Sequence, residues 1–261
     1  MHDSGGMQIT GGGITIGIID TGVDYTHPDL GGCYGVGCKV EGGYDFINYD
    51  EDPMDDHGHG THVASTAAGE GVLNGVAPGA ILYSYKVLDY GGGGSYDSII
   101  SGINASVDPN GDGDFSDHLD VISLSLGGYG DSDDPMARSV DNAVDLGIVA
   151  VIAAGNSGPE GDSQSRHSED PTGASYSIGS PGTARKAITV AASDKNDAIA
   201  GFSSRGPTIN GVSKPDITAP GVNICAAQYD SAWEYASCFD DIHTAISGTS
   251  MATPHVAGVV A

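Results

Sequence analysis

Five short, mostly apolar runs limit what this chain can fold into. They are 14–19 (ITIGII), 81–87 (ILYSYKV), 121–125 (VISLS), 148–153 (IVAVIA) and 188–192 (ITVAA). β-Branched residues dominate them, the pattern of strands buried on both faces. Between them lie stretches that read as helices, at 61–68, 96–107 and 136–146. The last follows Asp134-Pro135. Alternation of this kind predicts an α/β fold with three layers: a mostly parallel central sheet with helices on both faces. Loop-rich inserts are expected at 31–56, 109–117 and 159–181. With 261 residues, no internal repeat and no composition break, the chain reads as one domain over 1–261.

Three segments carry chemistry. The first run ends in Asp20, followed by the turn Thr21-Gly22-Val23-Asp24. Asp20 is thus expected at the C-terminal end of a strand, where open α/β sheets build their sites. The second is Asp56-His57-Gly58-His59-Gly60-Thr61-His62-Val63-Ala64, a loop entering a helix. The third is Gly248-Thr249-Ser250-Met251-Ala252-Thr253-Pro254-His255, which sets a serine before a helical run at 252–261. Unpaired N–H groups and the dipole at a helix N-terminus favour negative charge, such as a tetrahedral oxyanion. A serine hydroxyl still needs a base, and the base needs an orienting group. A histidine and an aspartate meet both needs.

These segments, in the order Asp, His, Ser, resemble the three active-site signatures of the subtilisin-like serine proteases (the subtilases, peptidase S8 type). Further landmarks extend the resemblance over nearly the whole chain. They are Lys86-Val87-Leu88 with the glycines 91–94 and Ser95, Ser123-Leu124-Ser125-Leu126-Gly127-Gly128, Ala153-Ala154-Gly155-Asn156-Ser157-Gly158, and the segments 202–207 (FSSRGP) and 214–221 (KPDITAPG). The resemblance implies a subtilisin-like fold and hydrolysis of peptide bonds through an acyl-enzyme. Ser250 is then the nucleophile, His59 the base and Asp20 its orienter. Asn156 and the Ser250 N–H hold the oxyanion, with a weaker contact from Thr249. Polypeptide substrate lies extended between Gly93, Gly94 and Ser95 on one side and Ser125, Leu126 and Gly127 on the other. Ala153, Ala154 and Gly155 line the cleft. His57 and His62 flank the base, while His27 and His255 are expected to be structural.

Backbone pairing between two edge segments tolerates many sequences, and the glycine wall leaves the outer pocket roomy. Broad endopeptidase specificity is the expectation. A processing enzyme that cleaves after basic residues is the alternative, with Asp55, Asp56, Glu160, Asp162, Glu169 and Asp170 as candidate attractors. A catalytically silent, calcium-stabilised binding domain, or a non-peptidase acyl hydrolase on the same triad, are readings from other classes. The intact set of Asp20, His59, Asn156 and Ser250 argues against a silent domain.

The net charge is −26, from 35 acids against 9 bases. It argues against nucleic-acid partners and anionic membranes. High-salt adaptation, calcium loading and plain solubility each account for such acidity, and composition does not choose among them. Asp108-Pro109-Asn110-Gly111-Asp112-Gly113-Asp114 resembles the front half of a calcium loop, with oxygen donors at alternate positions and a glycine turn. Position twelve is Leu119, so Asp117 or Asp120 is needed to close the shell. The family's calcium loop after the histidine helix looks absent, since residues 68–75 (AGEGVLNG) lack its insertion.

Cys33 with Cys38, and Cys225 with Cys238, form two local pairs. They are read as disulfides of an exported protein, against four buried thiols in a reducing compartment. No apolar stretch is long enough to span a bilayer. The chain is read as an extracellular monomer. The resemblance implies a signal and a folding propeptide upstream, and a helix that continues past Ala261.

Overall fold

The computed structural model of the chain describes residues 9–158, 176–230 and 238–261. Seven parallel strands form the central sheet. In chain order they are β1 (Thr15–Asp20), β2 (Val40–Asp45), β3 (Ile81–Lys86), β4 (Val121–Leu124), β5 (Val149–Ala153), β6 (Ile188–Ser193) and β7 (Ile217–Pro220), arranged 2-3-1-4-5-6-7. An antiparallel hairpin, β8 (Ile224–Ala227) with β9 (His243–Ile246), follows. The helices are α1 (His59–Ala68), α2 (Tyr96–Val107), α3 (Pro135–Asp145) and α4 (Thr249–Val260).

The strand period divides the core in two. Ile16 and Ile18 of β1 join Val121, Val151 and Val190 on one face, packed against Val63 and Ala67 of α1 and Ala252 and Val256 of α4. Ile19 joins Ile122, Leu124 and Ile152 on the other face, against Ile99 and Ile103 of α2 and Met136 and Val140 of α3. Residues one apart thus serve opposite layers, which is why these runs carry no polar positions facing solvent. Each fully buried isoleucine contributes about 1.5–3 kcal/mol relative to exposure. The expected three-layer α/β architecture is what forms.

Several expectations change. β2 lies inside the segment read as a loop. Its sequence, VEGGYD, lacks a strand signature because close packing selects its glycines. A Cβ on Gly42 would lie 2.5 Å from the Tyr83 ring, and one on Gly43 would lie 1.8 Å from the Ser84 carbonyl oxygen. β7 and the β8–β9 hairpin were likewise not expected. They are short, and two of them pair only with each other. α4 starts at Thr249 rather than Ala252, so Ser250 lies within its first turn. Both expected disulfides, Cys33–Cys38 and Cys225–Cys238, are present. No helix among the described residues is long and apolar enough to cross a membrane.

β1 pairs with β3 on one side and β4 on the other. The chain order reverses there, so the crevice at the carboxyl ends of these strands is a topological switch point. Asp20 ends β1, and Ser125 follows β4.

Candidate active site

Asp20 is fully buried. Its Oδ1 accepts the Thr21 N–H at 2.8 Å and receives His59 Nδ1 at 2.7 Å. His59 opens α1, and the close approach of α1 to the turn after β1 makes this possible. A Cβ on Gly60 would lie 2.0 Å from the Gly22 carbonyl oxygen, so no other residue fits there. Donation from Nδ1 to Asp20 leaves the Nε2 lone pair of His59 available as a base. Burial opposes protonation of His59. The charge of Asp20, its hydrogen bond and the charge of Asp55 outweigh that, so the pKa is raised above 6.5.

Ser250 is held by a reciprocal clasp. Its Oγ donates to the Ser125 carbonyl at 3.0 Å, and Ser125 Oγ donates to the Ser250 carbonyl at 2.8 Å. Pro254 leaves that carbonyl without its usual helical donor. A proline there has no N–H to give the carbonyl four residues back, so Ser250 C=O is free for Ser125. Among the described residues no hydrogen bond joins Ser250 Oγ to His59. The two side chains line one cleft of about 700 Å³, and such contacts commonly tighten only when substrate binds.

Asn156 also lines this cleft. Its Oδ1 accepts the Thr249 N–H at 2.8 Å and the Thr249 hydroxyl at 3.0 Å. With the oxygen held, the amide presents Nδ2 as a donor. Thr249 is itself fully buried, and its Oγ1 accepts the Gly155 N–H at 3.2 Å. Thr249 therefore orients Asn156, and its hydroxyl is already engaged rather than offered to an oxyanion.

The expected substrate walls are mostly assembled. Gly93, Gly94, Ser125, Leu126, Gly127, Ala153, Ala154 and Gly155 all border the cleft. Ser95 does not: it caps α2, accepting the Ser98 N–H at 3.0 Å, and lines a neighbouring depression. The acids offered as attractors of basic side chains are placed otherwise. Asp55 is fully buried, and Asp56 forms an ion pair with Lys86 at 2.5 Å. Glu160, Asp162, Glu169 and Asp170 lie outside the described residues. Among the described residues, no Asp or Glu lines the cleft.

The neighbouring histidines have structural partners. His62 Nε2 donates to the carbonyls of Ile224 and Thr244, and burial lowers its pKa to about 4. His27 Nε2 donates to the Ile242 carbonyl, and His255 Nδ1 to that of Met251.

The acidic loop partly fits a hard cation. Asp108 accepts the N–H groups of Asp112 and Gly113 at 3.1 and 3.0 Å, and Gly113 has φ +83°. That is the turn a front-half calcium loop requires. The back half is different. Leu119 is buried in the core, and Asp117 receives the Asn110 amide. Asp120 is turned to β1, where its Oδ2 accepts the N–H and hydroxyl of Thr15 at 2.8 and 2.9 Å. Asp120 is thus a clamp on the first strand rather than a ligand. Among the described residues no three His, Cys, Asp or Glu side chains gather closely enough to hold a metal ion.

A histidine paired with a buried aspartate shares one cleft with a helix-borne serine, at the switch point of the parallel sheet of an α/β protein. The chain belongs to the subtilase family, whose model matches residues 11–261. It is 39% identical to the serine protease AprX of Bacillus subtilis (strain 168), over 98% of this chain and 58% of AprX. It is 39% identical to subtilisin DY of Bacillus licheniformis, over 96% of this chain and 76% of that protein. The crystal structure of a cold adapted subtilisin-like serine proteinase matches with a TM-score of 0.72 and 32% identity, covering 97% of this chain and 75% of that one. The chain thus spans little more than half of AprX.

Proposed function

We propose that residues 1–261 form the catalytic domain of a secreted serine endopeptidase. The observation that carries this reading is the 2.7 Å contact from His59 Nδ1 to a buried Asp20, in the same cleft as Ser250. In the first step Ser250 Oγ leaves the Ser125 carbonyl and attacks the scissile carbonyl carbon, while His59 Nε2 takes its proton. The oxyanion is stabilised by Asn156 Nδ2 and the Ser250 N–H in the first turn of α4. Asp20 holds the imidazole tautomer and stabilises the imidazolium. The tetrahedral intermediate collapses, the C–N bond breaks, and His59 gives its proton to the leaving amine. Water, deprotonated by His59, then attacks the acyl ester and releases Ser250.

Small residues at Gly127, Ala154 and Gly155 leave room beside Ser250 for a bulky side chain, and the described walls carry no acid. Broad specificity, with large apolar residues favoured before the scissile bond, follows better than cleavage after basic residues. Two disulfides support an extracellular setting. A folding propeptide and a monomeric mature enzyme belong to the same reading. Calcium is proposed as a structural ion of the Asp108–Asp117 loop that would draw Asp108, Asn110, Asp112, Asp114 and Asp117 together on binding, since these side chains are not already gathered there. It would neutralise part of the acidic surface and take no part in the chemistry.

The test is digestion of a mixed peptide library by the parent and by Ser250→Ala. Cleavage by the parent alone, after varied and mostly large apolar residues, is the expected result. A folded parent that cleaves nothing removes the endopeptidase reading. Cuts confined to Lys and Arg replace broad specificity with processing.

A further inference from the structure

We propose that Asp55 is a positioning residue for the triad: the buried anion that locks the end of β1 to the start of α1 and so holds His59 against Asp20. The proposal rests on the endopeptidase reading and extends it to a residue outside the triad. Asp55 is fully buried, and among the described residues no cationic side chain pairs with it. Lys86 takes Asp56 instead. A buried carboxylate without a counter-ion must be satisfied by hydrogen bonds.

Asp55 receives five. Its Oδ1 accepts the Thr21 hydroxyl at 2.9 Å, the His57 N–H at 3.0 Å and the Gly58 N–H at 2.9 Å. Its Oδ2 accepts the N–H and hydroxyl of Thr61 at 2.9 and 2.6 Å. Thr21 is next to Asp20, and Gly58 and Thr61 bracket His59. Two hydroxyl relays complete the lock. Thr21 Oγ1 accepts the Gly60 N–H at 2.9 Å, and Thr61 Oγ1 accepts the Asp24 N–H at 2.9 Å. One carboxylate therefore joins the segment bearing the orienter to the segment bearing the base, without touching either side chain. Gly58, at the N-terminus of α1, makes no side-chain cap, so Asp55 also supplies the cap and meets the positive end of the helix dipole.

Geometry of this kind matters because displacement of a catalytic group by about 1 Å can lower a rate about 10²-fold. The second effect of Asp55 is electrostatic. The titratable groups around His59 are Asp20 and Asp55, which favour its protonation, and the histidines His57 and His62. Loss of the Asp55 charge moves His59 toward easier deprotonation.

The test compares the parent with Asp55→Asn, Thr21→Val and Thr21→Ser. It measures kcat, KM and the pH dependence of kcat/KM on a peptide anilide, and the low-field NMR resonance of His59 Nδ1–H. Asp55→Asn is expected to lower kcat about 10²-fold with KM little changed, and to shift the acid limb to lower pH. Thr21→Val should lower kcat less, and Thr21→Ser should restore it. The Nδ1–H resonance should broaden or vanish in Asp55→Asn and Thr21→Val and persist in the parent and Thr21→Ser. If Asp55→Asn does not fold, the Thr21 pair decides. A parent that cleaves nothing yet shows the same pattern of resonances loses the endopeptidase reading and keeps the lock. Folded variants with an unchanged resonance overturn the lock, as do an unchanged acid limb and rate, or a serine no better than valine at position 21.

Discussion

Replacing Thr249 by valine removes one hydroxyl from a fully buried site and changes little else in shape. Two consequences follow from the hydrogen bonds it makes. The Gly155 N–H loses its acceptor, and an unsatisfied, partly buried donor costs about 1–2 kcal/mol. In a domain of this size each kcal/mol moves the melting temperature by about 2–4 °C, so a fall of roughly 2–8 °C is expected. The second consequence is catalytic. Asn156 Oδ1 is held by two bonds from Thr249, and valine keeps only the one from the backbone N–H. Deleting such an amide donor outright costs about 10²–10³ in turnover. Loosening it should cost less, about 10-fold, or roughly 1.4 kcal/mol in the barrier. The loss should fall on kcat and leave KM nearly unchanged, because the amide acts on the oxyanion and not on bound substrate. Steady-state kinetics of Thr249→Val, Asn156→Ala and the double variant, with calorimetry on each, make the check. The double variant should be no slower than Asn156→Ala alone, since Thr249 works through Asn156. Catalytic losses that simply add would refute that dependence.

The acid limb of kcat/KM should lie above pH 6.5, because the base must be neutral and the pKa of His59 is raised. Asp20→Asn should move that limb down and lower kcat by about 10⁴, and a limb that stays in place would contradict the assignment. His62 has its folded-state pKa lowered to about 4. The unfolded chain therefore takes up a proton first, and stability present above pH 6.5 is lost as pH falls toward 4, by roughly 3 kcal/mol. Urea unfolding at pH 4.5 and 7 should show a smaller pH difference in His62→Gln than in the parent. Replacing Cys225 and Cys238, thirteen residues apart, by serine should cost about 3 kcal/mol by freeing the unfolded loop. Retention of full stability would show that the unfolded chain is already restrained there. Chelation with EDTA at matched ionic strength should lower the melting temperature of the parent and not that of Asp108→Asn/Asp112→Asn. An unchanged parent would remove calcium from the acidic loop.

The candidate constellation was legible because Asp20, His59 and Ser250 sit in short motifs that resemble the family's signatures, whereas local chemistry alone does not separate His59 from His57 and His62. The central strands were legible because burial on both faces leaves mostly apolar runs. What could not be read depends on contacts distant in sequence. Gly42 and Gly43 look like a loop until Tyr83 and Ser84 pack on them. Asp55 looks like a surface charge until five donors converge on it, three from backbone N–H groups that sequence does not display. Asp120 looks like a calcium ligand because it lies near the acidic loop, yet Thr15, 105 residues earlier, takes its carboxylate. Thr249 reads in sequence as a weak contact to the oxyanion, but its hydroxyl is bonded to Asn156 and Gly155 instead. Pro254 gives a further case: its missing N–H is a sequence fact, but its consequence needs Ser125 beside it.

Intact-mass measurement after treatment with a fluorophosphonate, followed by mapping of the modified peptide, tests directly whether Ser250 is a nucleophile activated by His59 and Asp20. One adduct per chain is expected, on Ser250, formed far more slowly in His59→Ala and absent in Ser250→Ala. A folded parent that forms no adduct, or carries it on another residue, would contradict that role for Ser250.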